Sequence, residues 1–462
     1  MYEIFGEYGI ATDLFSWLTL AGLIVFWVAS LLVCTSVRTK GWVAVPTSLF
    51  GLAWLGFGLD MVLRFFIIRY DSVAFGNGSL RLAELSSAKI NEALLLLNGF
   101  WILFSVAFFV VSRRNLSSPF NDLKVVTPEL VSRMVPISVP MMLACIYLSQ
   151  RGVVPSALVT PLALFGSMWV IPASVLWWRY FSGAPSKRKT SYRDRFDLFL
   201  VLTPGMFYLW LSPYREIALT ILLVPFSALL FSGRRLRLSV VVFFCLVVLI
   251  VSTVMVHSYR QVVWMREAVS DLVFQVEDWK EYPIRGPLAE PLRRFHALDS
   301  LLLTVDLVPA TFPYREDDLI VGSVIRGVVP RLLYTRKIAD DRAVKFGETI
   351  WSFGDVSSRS AAAISPSMPG DLFGSGGLRL VFLGAILWGV LLGAMESWKN
   401  SLPLFSKASI VSLFGFFSAA AIERDFGHTI STAIQILIVL SVFSWMIREL
   451  LKSNRFAPDR KI

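Results

Sequence analysis

Arginine recurs beside acids and histidines in short polar stretches of this sequence. Arg215 stands in LSPYREIAL, Arg424 in AIERDFGH between Glu423 and His428, and Arg293 in PLRRFHALD just before His296 and Asp299. Arg331 and Arg336 lie in RGVVPRLLYTRKIADDR. A planar guanidinium binds phosphate oxygens through two parallel hydrogen bonds and keeps its charge at any working pH. Several of them converging would suit a phosphate or diphosphate that gains charge as a bond breaks. His296, Asp299, Glu423 and His428 are the residues able to accept a proton near such a group. The plain alternative for each arginine is a pairing with a neighbouring acid or a lipid headgroup. For each histidine it is an ordinary structural hydrogen bond.

Other chemistries find less support. Glu316, Asp317 and Asp318 are adjacent acids in a loop, but no D-x-D or H-E-x-x-H spacing occurs. Cys34, Cys145 and Cys245 fall inside apolar blocks with no C-x-x-C spacing, so neither a zinc site nor a disulfide framework is expected. No G-x-S-x-G elbow is present for a serine nucleophile. Neither a metal nor any other cofactor is expected.

The elements that must position these residues are membrane spans. Of the 462 residues, 55% are hydrophobic and only 17% charged, where a soluble domain carries about 25% charged residues. The apolar residues fall in blocks of roughly 17–25, the length of a helix that crosses a bilayer. Spans are expected near 14–34, 42–63, 93–112, 134–150, 153–177, 196–212, 216–232, 238–256, 379–395, 402–420 and 429–447. The fold class is therefore all-α and polytopic, with about eleven spans. No basic stretch precedes the first span, so a cleavable signal peptide is not expected.

Alternate short loops carry the basic residues, among them Arg38 and Lys40, Arg113 and Arg114, Lys187 to Lys189, and Arg234 and Arg235. The positive-inside rule then puts the N-terminus outside and the C-terminus in the cytoplasm. The net charge of +11 sits in these loops rather than in a stripe interleaved with aromatic residues, so nucleic acid is not an expected partner. Residues 1–256 are expected to hold the first eight spans, 257–378 a mainly helical cap on the outer side, and 379–462 the last three spans and a basic tail. Asp60 and Arg64, four residues apart, can satisfy each other on one helix face. By this topology Arg215, Arg293, Arg331, Arg336 and Arg424 all share the outer side.

Several stretches resemble one family. VVPRLLYTRKIADDRAVKFG is similar to the Pro-Arg region of bacterial oligosaccharide-repeat-unit polymerases, the Wzy-type O-antigen and exopolysaccharide polymerases. AAAISPSMPGDLFGSGGLRLVFLGAILWGVL resembles the segment by which that family leads into a late span, with Asp371 where Glu is commoner. LSPYREIALTILL and AIERDFGH look like its outer turns bearing arginine. After Pro330 and Arg331 the chain has Tyr-Thr-Arg-Lys where a Trp-Pro-x-Lys-Pro turn is usual.

The resemblance implies a multispan fold of the GT-C kind in the bacterial inner membrane. It implies transfer of a growing glycan from undecaprenyl pyrophosphate to another lipid-linked repeat unit, with a chain-length regulator as a further partner and membrane lipids around the chain. Arg215, Arg293, Arg331, Arg336, Arg424 and Asp371 would bind the pyrophosphate and glycan, with the base among His296, Asp299, Glu423 and His428. A related O-antigen ligase passing glycan to lipid A-core stays open as an alternative. A flippase or transporter is less favoured, because charges inside the spans are few and no internal repeat is visible.

Overall fold

The computed structural model describes residues 85–119, 127–151, 153–183, 192–211, 215–233, 297–315, 366–420 and 424–452, and parts of 21–57, 236–247, 322–329 and 346–350. Nearly all of this is helix. The exception is a two-residue antiparallel ladder, β1 (Val37–Arg38) with β2 (Ala44–Val45), at the first basic turn. Among the described residues five helices are long and apolar enough to cross a membrane: Ser87–Ser112, Pro128–Gln150, Pro161–Ser182, Met368–Asn400 and Phe426–Met446. Ile217–Leu230 and Leu404–Phe414 are apolar but shorter. An all-helical architecture with these segments is consistent with a membrane protein.

In chain order the helices are α1 (Ser87–Ser112), α2 (Pro128–Gln150), α3 (Ser156–Ser167), α4 (Val170–Ser182), α5 (Tyr192–Leu200), α6 (Thr203–Leu211) and α7 (Arg215–Leu230). After a long interval follow α8 (Ala297–Leu307), α9 (Met368–Asn400), α10 (Leu404–Ala420) and α11 (Phe426–Lys452). In the block 153–177, α3 and α4 meet at Met168 and Trp169, both right-handed helical, within the span Pro161–Ser182, and the block 196–212 is α5 and α6 joined by a turn at Val201 and Leu202. Helix starts follow capping chemistry. Ser86 accepts from Lys89 N–H, Thr127 from Leu130 N–H and Ser367 from Gly370 N–H, each covering a donor that the first turn leaves free.

The central unit is α1 against α9. Phe108 lies against Gly393, where an added Cβ would stand 2.8 Å from the Phe108 carbonyl oxygen, and Gly389 faces the Phe104 carbonyl in the same way. Small residues spaced by four let two backbones approach, which is how apolar helices gain dispersion contacts in a bilayer. Next to that contact the rings of Trp101, Phe104 and Phe108 pack on Phe50, with centroids 5.3, 5.7 and 5.1 Å apart. A second unit joins α4, α7 and α10 through buried serines. Ser174 Oγ lies 3.1 Å from Ser412 Oγ, and Ser227 bonds the same hydroxyl and the Ala408 carbonyl.

Contacts at the helix ends sort the chain into two faces. At one end Leu116 N–H donates to Ser397 Oγ at 3.2 Å, Ser132 Oγ to Asp197 at 2.8 Å, and Trp178 Nε1 to the Phe231 carbonyl at 2.9 Å. Trp178 also packs on Phe405, with centroids 5.6 Å apart. At the opposite end Lys89 Nζ donates to the Val305 carbonyl at 3.2 Å and Phe426 N–H to Asp371 at 3.0 Å. Among the described residues, α1 to α7 and then α9 to α11 therefore reverse direction from one apolar block to the next, as consecutive spans do.

Candidate functional site

The end defined by Asp371 and Phe426 gathers the described residues with chemical potential. α8 lies there buried along its length, with Leu301, Val305 and Leu307 at 0% exposure, and packs between α1 and α9. Beyond it the chain turns back. Thr311 and Phe312 N–H both donate to the Leu307 carbonyl, which brings Tyr314 and Arg315 over the start of α9. Arg315 N–H donates to the Gly374 carbonyl at 3.0 Å.

The first turns of α9 are set by SPSMPGDLFGSGG. Ser367 is the N-cap, Pro369 sits in the first turn where no donor is needed, and Asp371 adds negative charge where the helix dipole favours it. The helix then breaks. Gly376 is extended at φ −173° and ψ 27°, and Gly377 takes φ 66° and ψ −157°, a left-handed value that an L side chain rarely adopts. An added Cβ at Gly377 would lie 3.2 Å from the Tyr314 hydroxyl.

Asp371 joins these pieces. Its carboxylate is completely buried; Oδ1 accepts from Arg315 Nη2 at 3.1 Å and Oδ2 accepts from Phe426 N–H at 3.0 Å. The second bond satisfies one of the donors that the first turn of α11 leaves free. The first fixes a guanidinium whose side chain is 29% exposed. Arg315 Nη2 also donates to the Asp371 carbonyl at 3.3 Å. Arg315 Nε is buried with no hydrogen-bond partner, and so is Ser375 Oγ. Gly374 lies between them in the chain; a Cβ there would stand 3.1 Å from Arg315 Nη2 and 3.3 Å from Thr304 Cγ2.

The residues singled out from sequence fall as follows. Arg424 stands two residues before α11 and is half-buried; His428, in the first turn of α11, is exposed, and its N–H donates to Asp425 at 2.7 Å. Arg215 begins α7. Its end of the bundle is the one remote from Phe231, Trp178 and Phe405, and therefore the one where Asp371 meets Phe426. Asp299, in the first turn of α8, has 0% exposure. Asp371 has its oxygens engaged by protein donors. Arg293, His296, Arg331, Arg336 and Glu423 lie outside the described residues. Among the described residues no cluster of His, Cys, Asp or Glu is placed to hold a metal ion.

Arg315 is the residue that sequence reasoning missed. Its neighbours Glu316, Asp317 and Asp318 make the stretch read as a solvated acidic run, and the carboxylate that holds it is far away in the chain. No protein-family model, curated protein or solved structure matches this chain.

Proposed function

We propose that the protein is a polytopic membrane glycosyltransferase that joins undecaprenyl-pyrophosphate-linked oligosaccharide repeat units on the outer side of the bacterial inner membrane. In this reading it has about eleven spans, an outer N-terminus and a cytoplasmic C-terminus. The alternation of helix ends supports the topology. The observation that carries the chemistry is a buried aspartate holding a partly exposed arginine at the same bundle end as Arg424 and the start of α7.

A hydroxyl of the acceptor sugar attacks the anomeric carbon of the donor. The bond from that carbon to the diphosphate oxygen breaks, and its electron pair leaves with the diphosphate. The hydroxyl proton passes to a base, for which His428 is the exposed candidate among the described residues. A positioned base contributes about 10²–10⁴-fold. Diphosphate departs as a stable anion and needs no acid; it needs fixed positive charge. One preorganised donor aimed at developing charge is worth about 10²–10³-fold in rate. Arg215, Arg293, Arg331, Arg336 and Arg424 are assigned to that task, with Arg315 beside them.

Purified protein in lipid nanodiscs with a defined lipid-linked repeat unit tests the reading. The expected result is a ladder of lengthened lipid-linked chains, unchanged by a chelator. Protein that stays folded and yields no chain longer than its substrate overturns it. Transfer seen only after addition of a lipid A-core acceptor would identify a ligase instead.

A further inference from the structure

The donors around the break in α9 are not all used. Arg315 spends Nη2 on Asp371, while Nε stays buried without a partner. Ser375, at 3% exposure, has an Oγ that is also unpartnered. A buried donor with nothing to bind is costly, and more so on a charged group, so such atoms mark a place where a ligand or ion completes the structure. The two residues come from distant parts of the chain and are brought together at Gly374, against which Arg315 lies and which Ser375 follows. Gly374 keeps the space beside the guanidinium free of a side chain. The carboxylate that holds Arg315 is itself fully occupied, so the guanidinium is oriented before any ligand arrives.

The lower half of α9 presents Leu378, Phe382, Leu383 and Ile386 on its surface, beginning directly after the break. α1, packed beside it and running the same way, adds Ile102 and Val106. A hydrocarbon chain along this face would put its headgroup at Gly376 and Gly377. We propose that Arg315 and Ser375 form an anion site for the diphosphate of an isoprenoid lipid, with Asp371 as the positioning residue and the α1–α9 face receiving the tail. Naming the anion as an isoprenoid diphosphate rests on the glycosyltransferase reading; the unpartnered donors do not.

Binding of undecaprenyl diphosphate is measured to the full protein in zwitterionic nanodiscs, with undecaprenol, inorganic diphosphate and phosphatidylglycerol as competitors. Arg315→Lys can keep the ion pair with Asp371, so its thermal unfolding should match wild type. It cannot offer a second parallel donor, and binding should weaken about 10–100-fold. Ser375→Ala should weaken it by about 3–10-fold. Arg379→Lys, an exposed arginine past the break, should bind as wild type does. Equal affinity for wild type and Arg315→Lys overturns the site. Phosphatidylglycerol competing as well as undecaprenyl diphosphate overturns the isoprenoid assignment, and inorganic diphosphate binding as tightly overturns the role of the apolar face. Binding that depends on Arg315 in a protein that makes no ladder would leave this site standing and remove the transferase reading.

Discussion

Helix α9 carries an ion pair at each end, and the two pairs are built differently. Near its last turn Lys399 and Glu396 meet at 2.7 Å with side-chain exposures of 3% and 9%. Lys399 Nζ also donates to the Thr47 carbonyl at 2.9 Å, and Glu396 Oε2 accepts from Leu49 N–H at 3.0 Å. Both charges are thus tied to the backbone of the helical stretch that starts near Leu49. At the other end only the carboxylate of Asp371 is fully engaged, while Arg315 keeps a buried Nε without a partner. A saturated pair is a fastener between segments. A half-saturated pair holds one member ready for something else.

The largest effect should come from breaking the fastener. Glu396→Ala leaves the Lys399 ammonium buried without its counter-charge, and loss of one partner costs about 3–5 kcal/mol. Thermal unfolding in detergent should fall sharply, together with the folded yield. Replacing both partners separates the two designs more finely. Glu396→Leu with Lys399→Met should keep ladder formation and destabilise less than Glu396→Ala, because no charge is left buried alone; the cost that remains is that of Leu49 N–H losing its acceptor, about 1–3 kcal/mol. Arg315→Met with Asp371→Leu should fold yet lose at least about 10²-fold in rate. If both double variants kept full activity, the distinction between the pairs would fail.

Smaller effects test the frame that carries both pairs. Gly393→Leu forces a side chain against the Phe108 carbonyl and should destabilise by about 1–3 kcal/mol, read as a lower unfolding midpoint. Ser412→Ala removes the hydroxyl shared by Ser174 and Ser227 and should cost about 0.6 kcal/mol, the average for such bonds between membrane helices. A drop much larger than that would mean the serines do more than join helices.

What the sequence made legible follows the physics of each signal. The apolar blocks that became α1, α2, α9 and α11 are long enough for composition alone to mark them as helices. Asp371 is legible in the sequence only through the resemblance of the segment around SPSMPGDLFGSGG to the one leading into a late span of the polymerases. The turn that divides α5 from α6 leaves no signal because Leu198 to Leu202 are apolar across it, whereas α3 and α4 run on within the one span Pro161–Ser182. α8 reads as one helix of an outer cap, yet its Asp299, Ser300 and Thr304 are buried; polar residues inside a fold cannot be told from surface ones by type. The expected start near residue 379 coincides with the break at Gly376 and Gly377; the buried turns from Met368 that precede the break carry the polar and glycine residues of a loop and do not read as helix. Arg315 was invisible for a simpler reason: its meaning depends on Asp371, and only folding brings the two together.

Arg315 also closes a loop in the chain. Its N–H on Gly374 and its guanidinium on Asp371 clamp the two stems of the segment between residues 315 and 371, while Phe346 from within that segment is buried in the same core. Once stems are clamped, doubling the chain between them costs only about 0.6 kcal/mol of further loop entropy. Insertions placed away from Phe346 can therefore lengthen the segment between residues 315 and 371 while the clamp stays as it is.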